Sequence, residues 1–224
     1  PAVAVEVLDD LGEGRRRVRI DGLGSDPESG LRAVGALPLP PYISGPVADD
    51  QRYQTVYARH PGSAAAPTAG LHLTPELLDR IVDVGATVAA IQLDVGLATF
   101  RPIATEDVTD HTMHTERYRI TPAVWDQVSR ARRVVAIGTT TVRALESAAA
   151  TGVLDGDSSL FITPGYDWRV VDLMMTNFHL PRSSLLVLVE AFMGPRWREL
   201  YTEALQRDYR FLSFGDAMLL ERAG

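Results

Sequence analysis

An α/β fold, with a largely parallel sheet flanked by helices, is predicted for the main body of this 224-residue chain. Short apolar runs (TVAAIQLDV, RVVAIG, WRVVDLMM) alternate with longer segments of helical period, among them TTTVRALESAAA and SLLVLVEAFMG. Helix-start signals precede several of those segments: Thr74-Pro75, Thr121-Pro122 and Ser183-Ser184. A hydrophobic content of 46% with 23% charged residues suits one sizeable buried core, with room for a small appendage.

The elements follow in order. Val3, Val5 and Val7 alternate with polar residues, and a second run surrounds Arg17 to Ile20, so residues 1–20 read as a β-hairpin. A lone hairpin is marginal in water, and the chain opens without Met. Further strands are therefore expected in a longer protein. DGLGSDPESG reads as a loop or linker. PLPLPPYI is extended, because consecutive prolines deny a helix. Asp49 or Asp50 can cap a short helix through QRYQTVYA. GSAAAPTAG is small and nearly featureless, and the helix after Thr74 should bury Leu77, Leu78, Ile81 and Val82. HTERYRI enters a strand, and Thr121 starts a helix holding Val124, Trp125 and Val128. After TTTVRALESAAA come strands at SLFI and WRVVDLMM, helices at SLLVLVEAFMG and WRELYTEAL, and a final AMLL strand.

Composition excludes several chemistries. The chain has no cysteine, so disulfides and thiolate metal sites are absent. All 22 basic residues are arginine, which removes Schiff-base chemistry and a Walker-type phosphate lysine. A net charge of −7 argues against indiscriminate capture of nucleic acid, though not against a local basic surface. No apolar stretch reaches membrane-spanning length, and no signal peptide is visible, so a cytoplasmic protein is expected. Nothing in the sequence signals assembly, and a monomer is favoured over an oligomer.

Five histidines carry the chemical interest: His60, His72, His111, His114 and His179. All but His60 lie in polar, Pro-rich or small-residue segments beside predicted strand or helix ends, where ligands gather in α/β folds. Each taken alone also fits a satisfied structural residue. His111-x-x-His114-x-Glu116 contains metal-ligand types but matches no diagnostic zinc spacing. VVAIGTTTVRALES is strand, glycine, hydroxyl-rich turn, helix. That layout can offer backbone N–H groups to a carboxylate, phosphate or ribose; a plain helix start, with Thr139 or Thr140 as cap and Arg143 paired with Glu146, fits it equally. In GSAAAPTAGLHLT the small residues allow a backbone to approach a planar ligand just before His72. In TNFHLPRSS, Pro181 and the serines explain the helix start. Asn177, Phe178 and His179 would suit recognition of a nucleobase.

The motifs LPLPPYI, RYQTVYA, GSAAAPTAGLHLT, DVGLATFRPI, HTMHTERY, IGTTTVRALES, FITPGY and TNFHLPRSSLLVLVEAFMG share their order with one family. From about Leu37 onward the chain resembles the S-adenosylmethionine:tRNA ribosyltransferase-isomerases of queuosine biosynthesis. The resemblance implies transfer and isomerisation of the ribosyl group of S-adenosylmethionine onto 7-aminomethyl-7-deazaguanine at a tRNA wobble position. The product is epoxyqueuosine, with adenine and methionine released and no metal required. It further implies an α/β catalytic domain at 31–224, with residues 1–30 as the end of an inserted β-barrel domain.

On this reading His72, His114, Glu116 and His179 supply acid, base and orienting groups. Thr139, Thr140 and Arg143 hold the methionine carboxylate or ribose. Tyr53, Gln54, Asn177 and Phe178 contact base or adenine, and Thr68 and Gly70 border the substrate. Three positions depart from the family pattern: Asp94 stands where His is typical, Ala98 where Gly is typical, and Leu73 where Phe is typical. A divergent transferase acting on a free deazapurine or small nucleoside, or a non-catalytic nucleoside- or RNA-binding fragment, are the alternatives.

Overall fold

The computed structural model describes residues 3–12, 15–36, 38–43, 49–60, 62–96, 105, 107–108, 111 and 113–223. Two compact units divide the chain, residues 1–39 and 40–224.

In the first unit the predicted hairpin is present. Strands β1 (Ala4–Gly12) and β2 (Arg15–Asp21) pair antiparallel, with Val5 opposite Ile20 and Val7 opposite Val18. All of β1 is exposed. Charge complementarity runs along the pair: Arg16 bonds Asp10 at 2.6 Å, Arg17 bonds Asp9 at 3.0 Å, and Arg19 meets Glu6. These arginines are thus balanced by their own cross-strand partners.

The supposed linker is not a plain loop. Its second half forms α1 (Pro27–Val34), because Asp26 is an N-cap whose carboxylate accepts from Glu28 N–H and the Ser29 hydroxyl. Pro27 occupies the first helical position, where its missing N–H costs nothing.

The second unit corrects the expected sheet. Strands β3 (Gln92–Asp94), β4 (Glu116–Arg119) and β6 (Asp155–Ser158) form one antiparallel sheet. Strands β5 (Val135–Ile137), β7 (Leu173–Asn177) and β8 (Ala217–Glu221) form another, in the order β5-β7-β8. Among the described residues only β5 and β7 run parallel; β8 returns antiparallel on β7. Alternation of strands and helices predicts parallel pairing only when successive strands re-enter one sheet. Here the strand after the helix α4 (Thr139–Thr151) joins β4 instead. That strand is the polar stretch DGDS, which carries no apolar signal, while the expected SLFI strand is unpaired chain.

Local capping follows expectation. Thr74 accepts from Leu77 N–H at the start of α2 (Pro75–Asp83), Thr121 from Val124 N–H at α3 (Pro122–Arg130), and Ser183 from Leu186 N–H at α5 (Ser184–Met193). Asp49 caps only a 3₁₀ turn, Asp50–Tyr53. In α2, Leu77, Leu78 and Ile81 are half-buried, and Val82, expected inside, is exposed. The core lies between α4, α5, α6 (Trp197–Gln206) and the β5-β7-β8 sheet: Val142, Leu145 and Ala148 meet Met174, Leu188, Val189, Phe192, Met218 and Leu220. Complete burial of Val189 and Phe192 contributes roughly 1.5–3 kcal/mol each.

Candidate active site at the first turn of α4

The parallel pair β5 and β7 positions everything that follows. At the end of β5 the chain turns through Gly138, whose N–H donates to Met175 of β7 at 2.8 Å, and enters α4 at Thr139. Gly138 has φ 93°, a conformation L side chains rarely adopt, and a Cβ there would lie 3.7 Å from the Cβ of Ala69. Gly138→Ala is expected to destabilise the chain by roughly 1–3 kcal/mol, measured by denaturant unfolding. Space remains for a methyl group, so backbone strain dominates.

Ala69 belongs to the segment predicted to approach a ligand. That segment is anchored: Ser63 Oγ donates to Leu93 O at 2.9 Å and accepts from Val95 N–H at 3.0 Å, beside β3. It then winds into a 3₁₀ turn, Thr68–His72. Gly70 is required there, since a Cβ would sit 2.0 Å from the Tyr57 hydroxyl and 2.9 Å from Thr55 Cγ2. The turn is held to β7 by one side chain. Asn177 Oδ1 accepts from Thr68 Oγ1 at 3.1 Å, and its Nδ2 lies 2.9 Å from His72 Nε2. Burial pulls the His72 imidazolium below the ordinary histidine range, with the nearby charge of Asp216 opposing it.

A second polar network lies along α4. Arg143 is almost fully buried and bonds Glu116 Oε2 of β4 at 2.5 Å. Its remaining donors reach Leu160 O at 2.9 Å and the carbonyls of His114 and Ser158 at 3.2 Å. The other carboxylate oxygen of Glu116 lies 3.4 Å from His114 Nε2. The approach is not aligned for a hydrogen bond, and both atoms are buried without a partner. Thr140 lines a narrow cleft with Leu93, Glu116, Arg143 and Ser158. The first turn of α4 therefore has the His72 turn against Gly138 and the Glu116 network beside Thr140. The helical pairing of Arg143 with Glu146 does not form. Glu146 accepts instead from the backbone N–H groups of Arg169, Val170 and Val171 at 2.9–3.0 Å, and from the Tyr166 hydroxyl at 3.4 Å.

Other sequence candidates stand outside these two networks. His179 Nε2 bonds the hydroxyl of Thr176, one residue from Asn177 and so on the opposite face of β7, while its N–H donates to Tyr201 OH at 3.0 Å. Enclosure drives its imidazolium down to about 4. Phe178 is buried, its ring meeting Tyr201, Tyr209 and Phe211. Tyr53 is buried against Phe214, and Gln54 is exposed. Among the described residues no three His, Asp or Glu side chains group as a metal site would need; His111 packs edge-on against Phe161.

The depressed His179 value makes stability depend on pH. Unfolded chains take up that proton near the ordinary 6.5, the native state only near 4. Stability is thus undiminished above 6.5 and falls as the pH drops from 6.5 to 4, by about 3 kcal/mol. Unfolding titrations of the wild type and a folded His179→Asn variant check this; their pH slopes should differ only in that window.

A family model described as a queuosine biosynthesis protein matches residues 2–220. The chain belongs to this family. It is 52% identical over 221 residues to the S-adenosylmethionine:tRNA ribosyltransferase-isomerase of Rubrobacter xylanophilus, covering 98% of this chain and 65% of that one. For the enzyme of the same name from Desulforamulus reducens the identity is 51% over 199 residues, covering 85% and 58%. The crystal structure of S-adenosylmethionine tRNA ribosyltransferase from Thermotoga maritima superposes with a TM-score of 0.56 at 40% identity, over 67% of this chain and 50% of that one. The chain thus spans somewhat under two thirds of the length of these two curated relatives.

Within the family fold, the three departures from its motif fall differently: Leu73 is buried where the Thr68–His72 turn closes. Asp94 ends β3, and its Oδ1 would be 3.5 Å from a Cβ at Gly62; Ala98 lies outside the described residues. Three contributors to the site were not foreseen: Ser158, which also bonds Ser147 at 2.6 Å, the carbonyl of Leu160, and Asp216. Ser158 sits in a polar run and Asp216 in a mainly apolar one, neither with a distinguishing pattern, and a carbonyl has no sequence signal.

Proposed function

We propose that this chain carries the catalytic part of an S-adenosylmethionine:tRNA ribosyltransferase-isomerase. The reaction moves and isomerises the ribosyl group of S-adenosylmethionine onto 7-aminomethyl-7-deazaguanine at a tRNA wobble position. It forms epoxyqueuosine in the cytoplasm and releases adenine and methionine. The observation that carries the reading is the family match over residues 2–220. Residues 31–224 form the catalytic domain, and residues 1–30 are the end of an inserted β-barrel.

The chemistry needs a base for the carbon acidified by the neighbouring sulfonium, a donor toward the departing purine, and a site closed to water. His114 and the unpartnered oxygen of Glu116 supply the base, with Arg143 fixing the carboxylate from behind. His72 supplies the donor. Thr139 and Thr140, at the opening of α4, bind the ribose or methionine carboxylate. Gln54 approaches the base with the buried Tyr53 as its neighbour in the chain, Gly70 shapes the turn under it, and Asn177, Phe178 and His179 orient the wall behind. S-adenosylmethionine is a substrate here, and no metal takes part.

Two observations favour a second reading. Acidic net charge and internally paired hairpin arginines suit a free deazapurine acceptor. Both are tested by incubating the chain, alone and joined to the segment by which its relatives exceed it, with S-adenosylmethionine. Adenine release is followed by chromatography. Release only with tRNA carrying the aminomethyl-deazaguanine supports the first reading. Release with the free base selects the second, and none from either form overturns both.

A further inference from the structure

Asn177 closes β7 with its side chain enclosed, and both ends of its amide serve one short segment. An amide has one donor end and one acceptor end. With the Thr68 hydroxyl donating to Oδ1, the NH₂ end faces His72 Nε2 at 2.9 Å. A donor there is satisfied only by a ring nitrogen that bears no hydrogen. The single hydrogen of the neutral imidazole then sits on Nδ1.

We infer that Thr68 and Asn177 are positioning residues that select the Nδ1–H tautomer of His72, so that the ring offers its ligand a donor and keeps its lone pair occupied. This rests on the assignment of His72 to the ribosyl-transfer site. A donor at that edge suits an acceptor atom, such as a purine ring nitrogen of the leaving adenine or a ribose oxygen. It does not suit abstraction of a proton from carbon, because the only lone pair of the ring is held by Asn177. The division of labour follows: His72 polarises an acceptor, and the base is the Glu116–His114 side.

The framework around the ring keeps this arrangement fixed. The turn is closed by Gly70 N–H to Pro67 O at 2.8 Å and Leu73 N–H to Gly70 O at 3.1 Å. The Tyr57 hydroxyl against Gly70 leaves the turn no room to slide. The charged group acting on His72 from a neighbouring element is Asp216, on the loop before β8. Asp216 is itself tied down, accepting from Arg210 N–H at 2.7 Å. Burial outweighs Asp216, so the ring stays neutral near pH 7.

The test is a long-range proton–nitrogen correlation spectrum of the ¹⁵N-labelled chain near neutral pH. The His72 signals are assigned by their loss in His72→Gln. The wild type should show a protonated Nδ1 and a bare Nε2. Asn177→Asp puts an anionic acceptor where the amide donor was. It should move the hydrogen to Nε2 and raise proton affinity by about tenfold or more. Thr68→Val frees the amide to turn over and should give mixed tautomers, while Thr68→Ser restores the wild-type pattern. If Asn177→Asp does not fold, the two Thr68 variants decide. A hydrogen on Nε2 in the wild type, or a tautomer unmoved by Thr68→Val in a folded protein, overturns the inference. Failure of the ribosyl-transfer reading would look different: the expected tautomer, with adenine release untouched in His72→Gln.

Discussion

Arg143→Ala is expected to lower the unfolding free energy by about 3–5 kcal/mol, because it leaves the carboxylate of Glu116 buried without a counter-charge. Both side chains are almost completely enclosed. The change also strips donors from the carbonyls of His114, Ser158 and Leu160. For a chain of this size the unfolding midpoint should fall by roughly 6–20 °C. Arg143→Lys restores charge but not the planar fork that reaches four acceptors, so it should recover only part of the loss. Replacing both partners with apolar residues should recover more stability than either single change. A double-mutant cycle by thermal unfolding separates these cases. A loss under about 1 kcal/mol in Arg143→Ala would show that the pair is not the support described.

Glu146→Ala should be comparably severe, at about 4 kcal/mol or more. One carboxylate accepts three successive backbone N–H groups, from Arg169 to Val171, and nothing else among the described residues is placed to take them. Glu146→Gln should fall between wild type and alanine, since its carbonyl oxygen still serves two donors and its NH₂ faces the third. A spectroscopic reading accompanies the stability change. Burial, and after it the Glu146 charge, push the Tyr166 hydroxyl up to about 12. In a folded Glu146→Gln variant the ultraviolet titration of Tyr166 should move back toward its ordinary 10. A titration that stays at 12 would mean that Glu146 does not act on that ring.

What could be read from the chain depended on how far each cause reaches along it. Caps at Thr74, Thr121 and Ser183 are set within four residues, and each is where its motif predicted. Asp26-Pro27 carries the same kind of signal, but the glycine and serine around it resemble a linker and mask it. Sheet direction is not local. The same helix–strand alternation serves a parallel and an antiparallel return, and the choice was made by a polar strand, Asp155–Ser158, with no apolar pattern.

The site shows the same divide. His72 and Asn177 each carry a signal, but a separation of 105 positions hides their bond. Arg143 had an acidic neighbour at helical spacing, and its real partner is 27 residues upstream. Helical spacing lists which pairs can meet; packing decides which do. Buried charges are assigned by whatever tertiary acceptors remain, and no window on the sequence contains them.

The exposed hairpin has a consequence of its own. With every residue of β1 open to solvent, cross-strand charges replace a greasy interior as the source of cohesion, and such charges are weakened by dissolved electrolyte. Added sodium chloride should hasten amide–deuterium exchange in residues 4–21 while leaving the α4 backbone slow. Ionic strength thus becomes a dial that loosens one part of the molecule and spares the other.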